Sequence, residues 1–178
     1  MLGLFHRSDR PPAEVLAQLP KDERVVSWGD TAAGSVVIAT PIGLWWPSAT
    51  GQRRIGWQYI NKAVWQGRAL VVTETEIVDD MLLRDLPDVA VELTVPRDLP
   101  PTVRKRIEGN VVRSELLSIF GGQARFVARR IPGADGVQWW ARLEAGTKDT
   151  PQVRSAISAR LSILRSEWEA ETGSALRW

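Results

Sequence analysis

Between residues 23 and 95 the chain breaks into short β-prone runs, each a few residues from the next, and this limits its fold more than any other feature. "ERVVSWGD" (23–30) and "GSVVIATPIGLWW" (34–46) are rich in β-branched and aromatic residues and are separated by a glycine-containing turn. After the turn "ATGQ" (49–52), "RRIGWQYI" (53–60) alternates, with Ile55, Trp57 and Tyr59 on one side and Arg54, Gly56 and Gln58 on the other. "KAVW" (62–65), "ALVVTE" (69–74), "MLLRDL" (81–86) and "VAVELTV" (89–95) complete about seven strands. Short strands at regular spacing predict an antiparallel sandwich or a small barrel.

The flanks read as helix. "SDRPPAEVLAQL" (8–19) has Ser8 or Asp9 as a cap and Pro11 and Pro12 in its first turn, and Pro20 ends it. "DLPPTVRKRIEGNVVRSELLSIF" (98–120) is predicted helical, with Val103, Ile107 and Val111 on one face. Val112, Leu116 and Ile119 fall on the other side. That drift beyond Gly109-Asn110 predicts a bend, or a helix buried on two sides. "GG" (121–122) breaks it, and residues 124–145 form a hairpin around Pro-Gly-Ala-Asp-Gly. A last helix over 150–171 is capped by Asp149 or Thr150. It carries Val153, Ile157, Leu161, Leu164 and Trp168 on one stripe.

On "ERVVSWGDTAAGSVVIATPIGLWW", "RRIGWQYINKAVW", "LVVTE" and "VAVELTVPRDLPPTVRKRIEG", residues 23 to about 119 resemble bacterial pleckstrin-homology-like (PH-like) domains. Ala39-Thr40, Gly43-Leu44, Ile55, Trp57 and Ile60 match the pattern of that family. The resemblance implies an α+β, mainly β fold: a seven-stranded bent barrel capped by a helix, here extended by a C-terminal β-hairpin and an amphipathic helix. Residues 1–22 would be a short helix or arm, 23–120 the barrel with its capping helix, and 121–178 the hairpin and helix packed on it. Family members use a basic first inter-strand loop for phosphoinositides. This chain has "GDTAAGS" (29–35) there, which argues against that ligand.

Composition removes several chemistries. There is no cysteine, so disulfides, thiolate metal sites and cysteine nucleophiles are excluded. His6 is the single histidine and precedes the first strand, which leaves neither a catalytic triad nor a histidine metal site. No phosphate-binding glycine motif is present, so neither nucleotide nor other cofactor is expected. "MLGLFHRSDRPPAEVL" has no apolar core of a signal peptide, and the expected location is cytoplasmic.

Charge is unevenly spread. Residues 74–92 hold seven acidic residues against Arg84 alone, whereas residues 97–142 hold nine basic against four acidic ones. The two blocks either occupy different faces or are neutralised in the fold. "ETEIVDD" (74–80) reads as a solvated turn at Asp79-Asp80, and the basic residues are too sparse for nucleic acid.

Two Trp-Trp pairs remain, Trp45-Trp46 and Trp139-Trp140. Side chains alternate along a strand, so the members of each pair face opposite ways. One reading makes them packing that glues hairpin and helix to the barrel. The other exposes Trp46 and Trp140 as partner anchors, rimmed by Arg125 and Arg129, which share a strand face. The expected function is a non-enzymatic binding or scaffolding module acting by protein contact or self-association. An alternative is an anionic membrane surface held by the 97–142 block. An enzyme built on the acidic 74–92 segment is a third reading that nothing in the sequence requires.

Overall fold

The computed structural model of the chain describes residues 10–175, with side chains as far as Gly173. The first elements are α1 (Ala13–Leu16), β1 (Ser27–Thr31), β2 (Val36–Ala39), β3 (Gly43–Ser48), β4 (Gly51–Gly56), β5 (Ile60–Gln66), β6 (Ala69–Ile77), β7 (Leu82–Asp85) and β8 (Val89–Val95). Then come α2 (Leu99–Asn110), β9 (Val111–Ile119), β10 (Gly122–Arg130), β11 (Val137–Leu143) and α3 (Pro151–Ala175). The protein is thus a sheet-dominated α+β fold. Its eleven strands form one open sheet, ordered β4-β3-β2-β1-β8-β6-β7-β11-β10-β9, with β5 added on β6. Neighbours are antiparallel except β7 and β11.

Several segments differ from expectation. The run 34–46 is two strands, folded back where the Thr40 N–H donates to the Gly43 carbonyl at 2.9 Å and Thr40 Oγ1 accepts from the Ile42 and Gly43 N–H groups. Gly43 is required there, since a Cβ would stand 2.4 Å from the Ile55 carbonyl oxygen on β4. The alternation of 53–60 stops at Gly56, and residues 57–59 form a 3₁₀ turn. The first helix is a single turn, Ala13–Leu16, with Pro12 at its N-cap, so Pro11 and Pro12 precede it and it ends before Pro20; Ser8 and Asp9 lie outside the described residues.

The largest difference is at Asn110. The helix starts as read, with two prolines in its first turn, but it ends at Asn110, and 111–119 is strand β9. The phase drift marked a change of structure rather than a bend. Beyond Asn110 the residues alternate at a period of two: Ser114, Leu116 and Ser118 face solvent while Glu115, Leu117 and Ile119 are half-buried. β9 pairs with β10 over Val111–Ile119.

Two main cores result. In the first, α2 places Leu99, Val103 and Ile107 at i, i+4 and i+8 against Val37, Leu44, Trp46, Ile55, Trp57, Ile60, Leu70, Val72 and Leu93. Each such side chain contributes about 1.5–3 kcal/mol by leaving water. In the second, the stripe Val153, Ile157, Leu161 and Leu164 of α3 covers Ala124, Phe126, Ala128, Trp139 and Ala141, with Trp168 at its margin. Thr150 caps α3 as expected, its hydroxyl accepting from the Val153 N–H at 3.2 Å. This helix therefore covers the β9–β11 end of the sheet, together with Leu82 of β7.

The β6 hairpin joins the halves. β6 pairs with β8 near its start and with β7 near its end, and the Leu86 N–H reaches the Glu74 carbonyl at 2.8 Å. Pro87, which has no N–H, sits where this return limb is interrupted. Asp79 closes the turn, one carboxylate oxygen accepting from the Met81 and Leu82 N–H groups at 2.9 Å each. The turn falls at Asp79-Asp80, as read, but Glu74–Ile77 belong to β6; the other Asp79 oxygen binds Arg154 on α3.

Candidate functional site

The structure separates the four residues singled out as a partner surface. Trp46 is 6% exposed and belongs to the first core; Trp140 is 4% exposed. Neither can be a surface anchor, and the exposed-pair reading is corrected. The alternation argument was right, but both sheet faces are covered. Trp45 faces away from Trp46 and is buried with Trp28, Ile38 and Leu19 under the N-terminal arm. Trp139 lies under α3, while Trp140 packs with Leu83, Val127 and Tyr59 where the two halves meet, its ring centroid 6.3 Å from that of Tyr59.

Arg125 and Arg129 do share a face, but it points into this junction. Arg129 is 4% exposed and donates one hydrogen bond, NH1 to the Ile60 carbonyl at 2.9 Å. It is no rim residue. Its burial, first, and the charge of Arg142, second, push its pKa down to about 10, with Asp85 partly restoring it. Arg125 lies at the edge of the same cavity, 3.3 Å from Glu144.

The charge blocks are largely neutralised, though mostly not by each other. Glu74 pairs with Arg53, Glu76 with Arg84, Asp79 with Arg154 and Glu92 with Arg68; only Asp85–Arg142 joins the acidic block to the basic one. In the basic block Arg97, Arg104, Arg113, Arg125 and Arg142 have acidic partners and Arg129 is buried, which leaves Lys105, Arg106 and Arg130 as the cations of the block without an ion pair among the described residues. These three line a groove of about 550 Å³ with Val26, Pro41 and Pro132.

Sequence reasoning missed the site with the fullest geometry. β5 pairs with β6 on one side only, and among the described residues its other edge has no strand partner. Beside that edge runs α2, and between them lies a groove of about 580 Å³ lined by Ala63, Val64, Trp65, Leu70, Pro101 and Ile107. Trp65 is 39% exposed, one of few large apolar side chains left open. Lys62 and the Arg104–Glu108 pair give the groove its polar margin. A strand edge offers unmet backbone N–H and C=O groups in register, and an adjacent apolar floor receives alternate side chains. A signal existed: the run carries Lys62 as well as Trp65 and stops just before the turn glycine Gly67, the composition of an edge strand. What could not be read was that β4 would fail to pair with β5.

Glu23, a buried carboxylate, forms the other polar cluster. It accepts from Trp45 Nε1 at 3.0 Å, from Arg54 NH1 at 2.9 Å and from the Thr40 hydroxyl. These bonds tie the N-terminal arm to β3, β4 and the turn between β2 and β3.

No protein-family model, curated protein or solved structure matches the chain. Among the described residues no helix is long and apolar enough to cross a membrane.

Proposed function

We propose that the chain is a non-enzymatic, cytoplasmic binding module that takes an extended segment of a partner protein onto β5. The observation that carries this reading is the coincidence of an unpaired strand edge with an apolar groove along it, floored by α2 and flanked by Trp65. Strand addition draws affinity from main-chain hydrogen bonds and selectivity from alternate side chains. The groove fits a segment with an apolar side chain against Trp65, Pro101 and Ile107 and an acidic one near Lys62. Trp65 takes the anchoring role first assigned to Trp46 and Trp140. The resemblance of residues 23–119 to PH-like domains supports the same reading. In keeping with a capping helix, Leu99, Val103 and Ile107 of α2 pack against side chains of β2–β6 and β8 within the open sheet.

Selection from a random peptide library against the whole protein tests this. The selected peptides are expected to bind Trp65→Ala about thirty-fold or more weakly, as befits an aromatic anchor, at an unchanged unfolding temperature. Equal affinity for wild type and Trp65→Ala would contradict the proposal. A rise in mass with concentration, lost in Trp65→Ala, would make the occupant a second copy of the chain. Salt-sensitive sedimentation with anionic vesicles, in place of peptide binding, would transfer the function to the Lys105, Arg106 and Arg130 groove.

A further inference from the structure

Three guanidinium groups converge where the C-terminal sheet meets the first half. Arg125 on β10 lies directly opposite Arg142 on β11, a like-charge pairing that strands disfavour. Arg129 is four residues along the same face of β10. Together with Asn61, Thr75, Leu83, Ser114 and Val127 they surround a cavity of about 110 Å³. That is room for several water molecules or for one small organic anion.

The lining is built but incomplete. Among the described residues Arg129 Nε and Thr75 Oγ1 have no hydrogen-bond partner, and both residues are more than nine-tenths buried. Leaving a buried donor unmet is costly, the more so on a charged group. The two remaining arginines are loosely held: Arg142 NH1 stands 3.3 Å from each oxygen of Asp85, and Arg125 Nε 3.3 Å from Glu144. Asn61 Nδ2 also binds Asp85, at 2.9 Å. With Asp85 and Glu144 set against Arg125 and Arg142, the charge of Arg129 is left over. The surplus is a single positive charge, which one monoanion balances and a dianion would exceed.

We propose that this cavity binds a carboxylate, the acid group of a small monocarboxylic molecule, between Arg129, Thr75 and the Arg125–Arg142 pair. The planar group would accept from Arg129 Nε and from the Thr75 hydroxyl, and its charge would separate the two facing guanidinium groups. The depressed pKa of Arg129 is in keeping with this, because burial and Arg142 are its causes and both are offset by an anion. The site is independent of the β5 groove and stands or falls separately from it.

The test uses the whole protein labelled with ¹⁵N, acetate and propionate as probes, inorganic phosphate as a second anion, and chloride at matched ionic strength as the control. Saturable acetate-dependent shifts at the Arg129 Nε–H are expected. They should weaken about tenfold in Thr75→Val and in Arg125→Gln, and the site should be lost in Arg129→Met. Thr75→Val and Arg125→Gln keep the test open should Arg129→Met fail to fold. A shift that follows ionic strength alone would overturn the proposal and leave the cavity to water. Binding of phosphate without binding of acetate would overturn the assignment to a carboxylate.

Discussion

Glu23 and Arg129 are the two charged side chains buried among the described residues, and the protein surrounds them in opposite ways. Glu23 has Thr40, Trp45 and Arg54 bonded to its carboxylate. Arg129 has the Ile60 carbonyl, a neighbouring cation and an unmet Nε. A buried charge with all its hydrogen bonds met serves the fold; a buried charge with some unmet is a cost the fold does not need. The same distinction separates the strand edges inside the sheet from that of β5.

The comparison can be broken by substitution. Glu23→Leu should cost about 3–5 kcal/mol, because it leaves the indole N–H, the hydroxyl and the guanidinium without their acceptor. For a chain of this size that is a fall of roughly 10 °C in Tm, read by thermal unfolding. Trp140→Ala should cost nearly as much, about 3–5 kcal/mol, as a cavity in the junction beside Arg129. Retained stability would return Trp140 to the surface role the structure denies it. Arg129→Met, by contrast, should fall within about 1 kcal/mol of wild type by the same measurement, since it removes an unpaired buried charge along with one hydrogen bond. A loss as large as that of Glu23→Leu would show that Arg129 is structural after all.

The smallest effect concerns the clamp at the start of α3. Arg154 donates from Nε and NH2 to Asp149 at 2.6 Å each, and these bonds hold the Asp149 pKa below the usual carboxylate range. The folded pKa is the lower one, so the contribution is present above the unfolded pKa and is lost as pH falls through the folded value. The Tm difference between wild type and Arg154→Gln should therefore shrink in acid and be constant near neutrality. Both partners are well exposed, and the change should sit near the limit of detection.

Much of this was legible locally. The α3 stripe, the Thr150 cap, the Asp79 turn and the shared face of Arg125 and Arg129 follow from period and turn chemistry within a few residues. What failed depended on distant partners. Val111–Ile119 contains β-branched residues and alternates, yet it continues a helical pattern without a break; its pairing with β10 decides the outcome. Alternation showed that Trp45 and Trp46 diverge, but not that the N-terminal arm would cover one and α2 the other. That β4 would leave the β5 edge open was unreadable for the same reason, because an edge is defined by a strand that is absent.

The central claim, that β5 receives a partner strand, is tested most directly by hydrogen–deuterium exchange of the whole protein with and without a selected peptide. The account predicts slowed exchange in residues 60–66, where new main-chain hydrogen bonds form, and along the α2 wall of the groove. Slowed exchange confined to other segments, with residues 60–66 unchanged, would contradict it.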